Sequence, residues 1–197
     1  MKIIIICGPN ASGKDSVIEE IFREINQEYP GKISQASYFK TRSVRPKEKD
    51  DGYFISDDTF KKKRDSGEIP DWLWGKVGDY DVGYSEDEFK KSEIVLVNIG
   101  DKKARLLKDW AEQKIGQVLS IFLHAPEDVR KQRFMSRESW LIYEPVEYRI
   151  IHDITDPNSE NHKDFDLIVE NKEGALAETM KEIMPAVKKF IAAKQSI

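Results

Sequence analysis

Cysteine is nearly absent from this chain. Cys7 stands alone among 197 residues, which excludes an internal disulfide. It lies in an apolar run, where a buried small hydrophobe is expected rather than a reactive thiol. Histidine is scarce as well. His124, His152 and His162 are isolated from one another and no Cys/His cluster suggests zinc. No apolar run approaches the ~20 residues that span a bilayer. Ile3 to Ile6 is too short for a signal segment, so no membrane association and a cytoplasmic chain are expected. An excess of positive charge is also missing. The net charge of −4 argues against general nucleic-acid binding, so an anionic ligand needs a local basic patch. There are no repeats and no low-complexity stretch. What is present, 39% apolar and 35% charged residues, suits one well-filled globular core, as a monomer or homodimer.

Buried-looking strands alternate with amphipathic helices. KIIIIC at 2–7 is β-branched and apolar without alternation, which predicts a central strand covered on both faces. From 14 to about 28, Val17, Ile18, Ile21, Phe22 and Ile25 recur at helical spacing, and Pro30-Gly31 ends that helix. Further strands are expected over about 33–40, GYFIS, IPDWLWGKV, EIVLVNI, VLSIFLHA and FDLIVE. Ser56 reads as a helix N-cap with Gly67 as the stop, and Ser85 with Glu88 as a capping box. Helices are expected over 101–114, from Pro126 to about 135, near 146–153, and over 174–194. The alternation predicts a three-layer α/β fold with a mainly parallel five-stranded sheet. Residues 36–90, rich in strands and turns, form an expected flap, and the polar 136–164 an expected lid. The core then comprises 1–35, 91–135 and 165–197.

The stretch GPNASGKDS follows the first strand and opens the first helix. Gly8 and Gly13-Lys14 bracket a phosphate-cradling loop, with Asn10, Ala11 and Ser12 between them. Glycines let successive backbone N–H groups turn inward toward a polyphosphate. Lys14 reaches the outer phosphates. A hydroxyl usually follows that lysine, but here Asp15 does, with Ser16 next. Either supplies an oxygen for Mg²⁺, the carboxylate directly or the hydroxyl from the following position.

The segment KTRSVRP…DDGYFIS…SGEIPDW resembles the acceptor-binding segment of guanylate kinases. Order and approximate spacing are kept from residue 3 to about 190. The resemblance implies a P-loop kinase that moves the γ-phosphoryl of MgATP to GMP or dGMP, with ATP and Mg²⁺ as cofactors. It assigns Arg42 and Arg45 to the acceptor phosphate, suited by their planar forks. It assigns Asp71, Tyr53, Tyr80 and either Asn98 or Asp101 to the acceptor base. Arg133 and Arg137, four apart on a helix, and Arg149 correspond to lid arginines around the transferring phosphoryl, with Arg130 as an alternative to Arg133. Asn171 matches a position near the adenine. Gly-Lys-Asp-Ser and Val-Leu-Val-Asn at 95–98 also resemble ribose 1,5-bisphosphate phosphokinases, which implies a small phosphate ester as the alternative acceptor. A non-catalytic binding module of the same fold is the third reading.

Overall fold

The computed structural model describes residues 1–44, 48, 50–136 and 163–193. The elements are β1 (Lys2–Cys7), α1 (Lys14–Glu28), β2 (Ile33–Gln35), β3 (Phe39–Lys40), α2 (Asp57–Asp65), β4 (Trp74–Val77), β5 (Tyr80–Gly83), β6 (Ile94–Asn98), α3 (Asp101–Lys114), β7 (Gln117–His124), α4 (Glu127–Met135), β8 (Leu167–Glu170) and α5 (Leu176–Ala192). The expected helical piece near 146–153 lies outside the described residues. The chain divides into two compact units, Met1–Gln35 with Ser92–Ile197, and Ala36–Lys91.

The first unit holds a five-stranded parallel sheet in the order β2-β6-β1-β7-β8. Ile3 to Cys7 are 0% exposed, as expected for the middle strand of a covered parallel sheet. Ile4 and Ile6 pack with Val17, Ile18, Ile21 and Ile25 of α1 and with Met180, Ile183, Met184 and Val187 of α5. Strand alternation turns Ile3 and Ile5 to the opposite face, where α3 lies against β1 and β7. The result is three layers, and each fully buried isoleucine contributes roughly 1.5–3 kcal/mol. Lys2 Nζ donates to the carbonyls of Phe190, Ile191 and Ala193 at 2.7, 2.6 and 2.6 Å, closing the C-terminal end of α5.

The second unit is a three-stranded antiparallel sheet, β3-β5-β4, over a small core of Phe60, Ile69, Leu73, Tyr84 and Phe89. Here the observed elements differ from the expected strands. The strand over 33–40 is split, because the Ser37 amide donates to the Glu88 carboxylate at 2.9 Å instead of joining a ladder. GYFIS makes one isolated bridge, Lys40 to Phe54, not a strand. IPDWLWGKV begins with a 3₁₀ turn, Asp71–Leu73, before β4, and GDYDVGY contains the second arm of the hairpin. Ser56 caps α2 as expected, accepting from the Thr59 amide at 3.3 Å. The capping box at Ser85 is half made. Its hydroxyl accepts from the Asp87 amide at 3.2 Å, while the Glu88 carboxylate is engaged elsewhere.

Candidate active site

The loop after β1 is shaped by two close approaches. A Cβ on Gly8, at φ 143°, would stand 1.9 Å from the Leu123 carbonyl oxygen of β7. One on Gly13, at φ 95°, would stand 2.2 Å from Asn171 Nδ2. Ala11 between them is left-handed at φ 60°. Such a backbone is strained for residues with a side chain and must be held by its surroundings.

Those surroundings are polar. Asn171, 4% exposed, donates from Nδ2 to the Ser12 carbonyl at 2.8 Å and accepts from the Thr179 hydroxyl at 3.1 Å. Its backbone N–H donates to the His124 carbonyl at 2.8 Å, so the ends of β7 and β8 meet there. Arg133 of α4 spreads its guanidinium over the same region. Nη1 donates to the carbonyls of Ala11 and Ser12 at 3.2 Å each, and Nη2 to those of Asn171 and Lys172 at 3.3 and 3.0 Å. Nε faces the Glu173 carboxylate at 3.3 Å. Arg130 is 0% exposed. Arg45, Arg137, Arg149, His152 and His162 lie outside the described residues.

Inside the loop, Lys14 Nζ donates to the carbonyls of Gly8 and Pro9 at 2.9 and 2.7 Å. Ser12 is 0% exposed and its hydroxyl has no hydrogen-bond partner. A buried orphan hydroxyl, a curl with no room for a Cβ at Gly8 or Gly13 and an ammonium across its mouth fit a polyphosphate. Asp15 and Ser16 are exposed on the first turn of α1. Both are hard oxygen donors of the kind magnesium prefers, so the residues fit that ion too. Asn98, at the end of β6, donates from Nδ2 to Asp15 Oδ1 at 2.7 Å. Among the described residues no group of three or more His, Cys, Asp or Glu converges as a metal site. No helix there is long and apolar enough to cross a membrane.

In the Ala36–Lys91 unit, Arg42 meets Glu48 through two parallel hydrogen bonds of 2.6 Å. Its guanidinium lies 5.1 Å from the Phe54 ring centre and 5.6 Å from that of Tyr80. Asp71 is exposed and accepts from Arg64 and from the Trp74 indole, both at 3.1 Å. The Arg64 bond, then the indole, lowers the Asp71 carboxyl below its ordinary range. Tyr53 donates to Glu88 and accepts from Lys91, each at 2.6 Å. Burial, then the Glu88 hydrogen bond, raises its phenol. Sequence reasoning missed Glu48 and Glu88 as partners. Both sit in runs of charge whose spacing carries no sign of a fold-back. Nor did it foresee the Asn98–Asp15 bond, which only strand register creates.

No family model matches the chain. A guanylate kinase of Prochlorococcus marinus subsp. pastoris is 30% identical over 191 residues, covering 95% of this chain and 97% of that protein. A guanylate kinase of Thermotoga maritima is 32% identical over 141 residues, 66% of this chain and 62% of that protein. The crystal structure of guanylate kinase from Anaplasma phagocytophilum superposes with a TM-score of 0.64 at 17% identity, covering 98% and 87% of the two chains, and so shares the fold. Sheet order, loop and fold define a P-loop kinase, an ATP-dependent phosphotransferase. The chain belongs to the guanylate kinase family.

Proposed function

We propose that this protein transfers the γ-phosphoryl group of MgATP to GMP or dGMP. What carries the reading is the loop from Gly8 to Ser16, with its curled backbone, Lys14 and adjacent oxygen donors, in a chain whose relatives are guanylate kinases. Lys14 and the inward amides bind the β- and γ-phosphates, while α1 directs its positive end at them. Asp15 or Ser16 would hold magnesium, which when bound neutralises charge on the phosphate oxygens. Arg133 ties two loop carbonyls, those of Ala11 and Ser12, to those of Asn171 and Lys172 and so keeps the amides aimed at the nucleotide. Arg137 and Arg149 are assigned to the equatorial oxygens, where positive charge is worth most. Asn171 sets the rim of the loop on the adenine side.

Arg42 and Arg45 take the acceptor phosphate. The two-pronged contact of Arg42 with Glu48 supports this, because a carboxylate and a phosphate offer the same pair of oxygens to that fork. Asp71, Tyr53 and Tyr80 are assigned to the base, and a carboxylate can accept the paired N–H groups of guanine that adenine lacks. No general base is needed, since the acceptor is already an anion.

ADP release from ATP measured against GMP, dGMP, AMP, CMP, UMP and ribose 1,5-bisphosphate tests the reading. Turnover with the guanine nucleotides is expected. Turnover with ribose 1,5-bisphosphate alone would displace GMP, and no turnover with any acceptor would point to a binding module. Neither alternative gains support from the relatives.

A further inference from the structure

Phosphate loops of this kind commonly hold magnesium with a loop hydroxyl and an acid carried elsewhere on the nucleotide site. In this chain the loop position after Lys14 carries the acid, Asp15, and a neutral amide, Asn98, ends the neighbouring strand. β6 pairs in parallel with β1, and the register sets Asn98 opposite Ile6, just before the loop begins. Asn98 Nδ2 therefore reaches Asp15 Oδ1, at 2.7 Å. An ionised carboxylate only accepts, so the amide must present its NH₂ side and cannot offer its oxygen there.

We propose that carboxylate and neutral group have traded places in this chain. Asp15 supplies the charged oxygen for the magnesium of the bound nucleotide, and Asn98 is a positioning residue that holds that carboxylate in place. This rests on the nucleotide-binding reading above. Asp15 is exposed and sits beside the seat of a polyanion, so with no restraint it has every reason to swing away. The amide takes one lone pair of Oδ1 and leaves Oδ2 for a cation. It adds no charge, so the pair keeps a single negative charge. An acid at position 98 would instead set two carboxylates within 3 Å, which the ligand-free protein would resist. A plain structural tie between β6 and α1 would make the same hydrogen bond, so the test must read the metal.

The measurement is Mn²⁺ binding to the complex with a non-hydrolysable ATP analogue, followed by electron paramagnetic resonance, with thermal melting of the ligand-free protein alongside. Asn98→Ala is expected to weaken Mn²⁺ about 10- to 100-fold, the usual loss when a ligand's hydrogen-bond partner is removed. Asp15→Ser is expected to weaken it at least as much. The exchange Asp15→Ser with Asn98→Asp is expected to restore most of the loss, which a structural tie would not do. Asn98→Ser gives the same readout if the alanine variant is unstable. Unchanged Mn²⁺ affinity in folded Asn98→Ala, or an exchanged protein no better than Asp15→Ser, overturns the proposal. A wild-type protein that retains no ATP analogue at saturating Mn²⁺ overturns the kinase reading itself, a separate result.

Discussion

The loop after β1 and the Ala36–Lys91 unit are organised by different parts of the chain. The loop is fixed by backbone: left-handed residues, a carbonyl of β7 at its back and an arginine satisfied by carbonyls. The Ala36–Lys91 unit has short strands, and its order depends on side chains. Glu88, 5% exposed, gathers the Ser37 amide, the Tyr53 hydroxyl and the Lys91 ammonium. Lys40 lies over the rings of Tyr38 and Phe54, and Arg64 over that of Trp74 at 3.5 Å. The lesson is that a loop whose backbone makes the close approaches cannot take added volume. A unit built from side chains is open to loss at a single carboxylate.

The largest effect expected from this contrast is that of Gly8→Ala. The clash is with backbone, which cannot swing aside, and the φ is unfavourable for alanine, so a loss of about 3–5 kcal/mol follows. Differential scanning calorimetry should show it as a melting temperature lower by on the order of 10 °C, with nucleotide binding lost. Next is Glu88→Ala, which leaves a half-buried amide and hydroxyl without their acceptor and costs about 1–3 kcal/mol. Hydrogen exchange should speed up within Ala36–Lys91 while β1 keeps its protection. Equal loosening in both units would break the comparison.

Glu48→Gln comes third. The weaker partner frees the Arg42 fork, so the KM for the acceptor should fall several-fold, roughly what about 1 kcal/mol gives, with the KM for ATP unchanged. A fourth test lies at the edge of the parallel sheet, at one part-exposed node built from side chains. Burial raises the Asp166 carboxyl, but the Ser120 hydroxyl and amide and Lys108 outweigh it, and its pKa is lowered. Its contribution is therefore whole above the unfolded value of ~4 and is lost as pH falls through the lower folded value. Melting temperature should decline below about pH 4, and Asp166→Asn should flatten that acid limb. The smallest effect is that of Asp71→Asn. The side chain is 90% exposed, so no measurable change in melting temperature is expected, while the preference for GMP over AMP should narrow.

The same contrast sets what was legible in the sequence. α1 was readable at both ends, since Gly13 opens it and its apolar residues keep strict helical spacing. The central parallel strands β1, β6 and β7 were readable because burial on both faces demands unbroken apolar runs such as Ile3 to Ile6. The loop was readable because glycine spacing encodes backbone shape. In the Ala36–Lys91 unit the reading was weaker. Phe54 forms a bridge rather than a strand, made by hydrogen bonds from Lys40 to Tyr53 and from Ile55 to Lys40. Arg133 illustrates the limit at the site. Helical spacing marks its face, but its carbonyl partners come from residues far off in sequence, Ala11, Ser12, Asn171 and Lys172.

The parallel pairing of β6 with β1 also fixes how many residues β6 can have. Inserting one residue at its middle would carry Asn98 about 3.3 Å onward and turn its side chain to the other face, taking the amide away from Asp15. The same insertion beside Gly100, which is exposed and precedes α3, would leave that amide where it is. Length variation is therefore barred on one side of Asn98 and permitted a step beyond it.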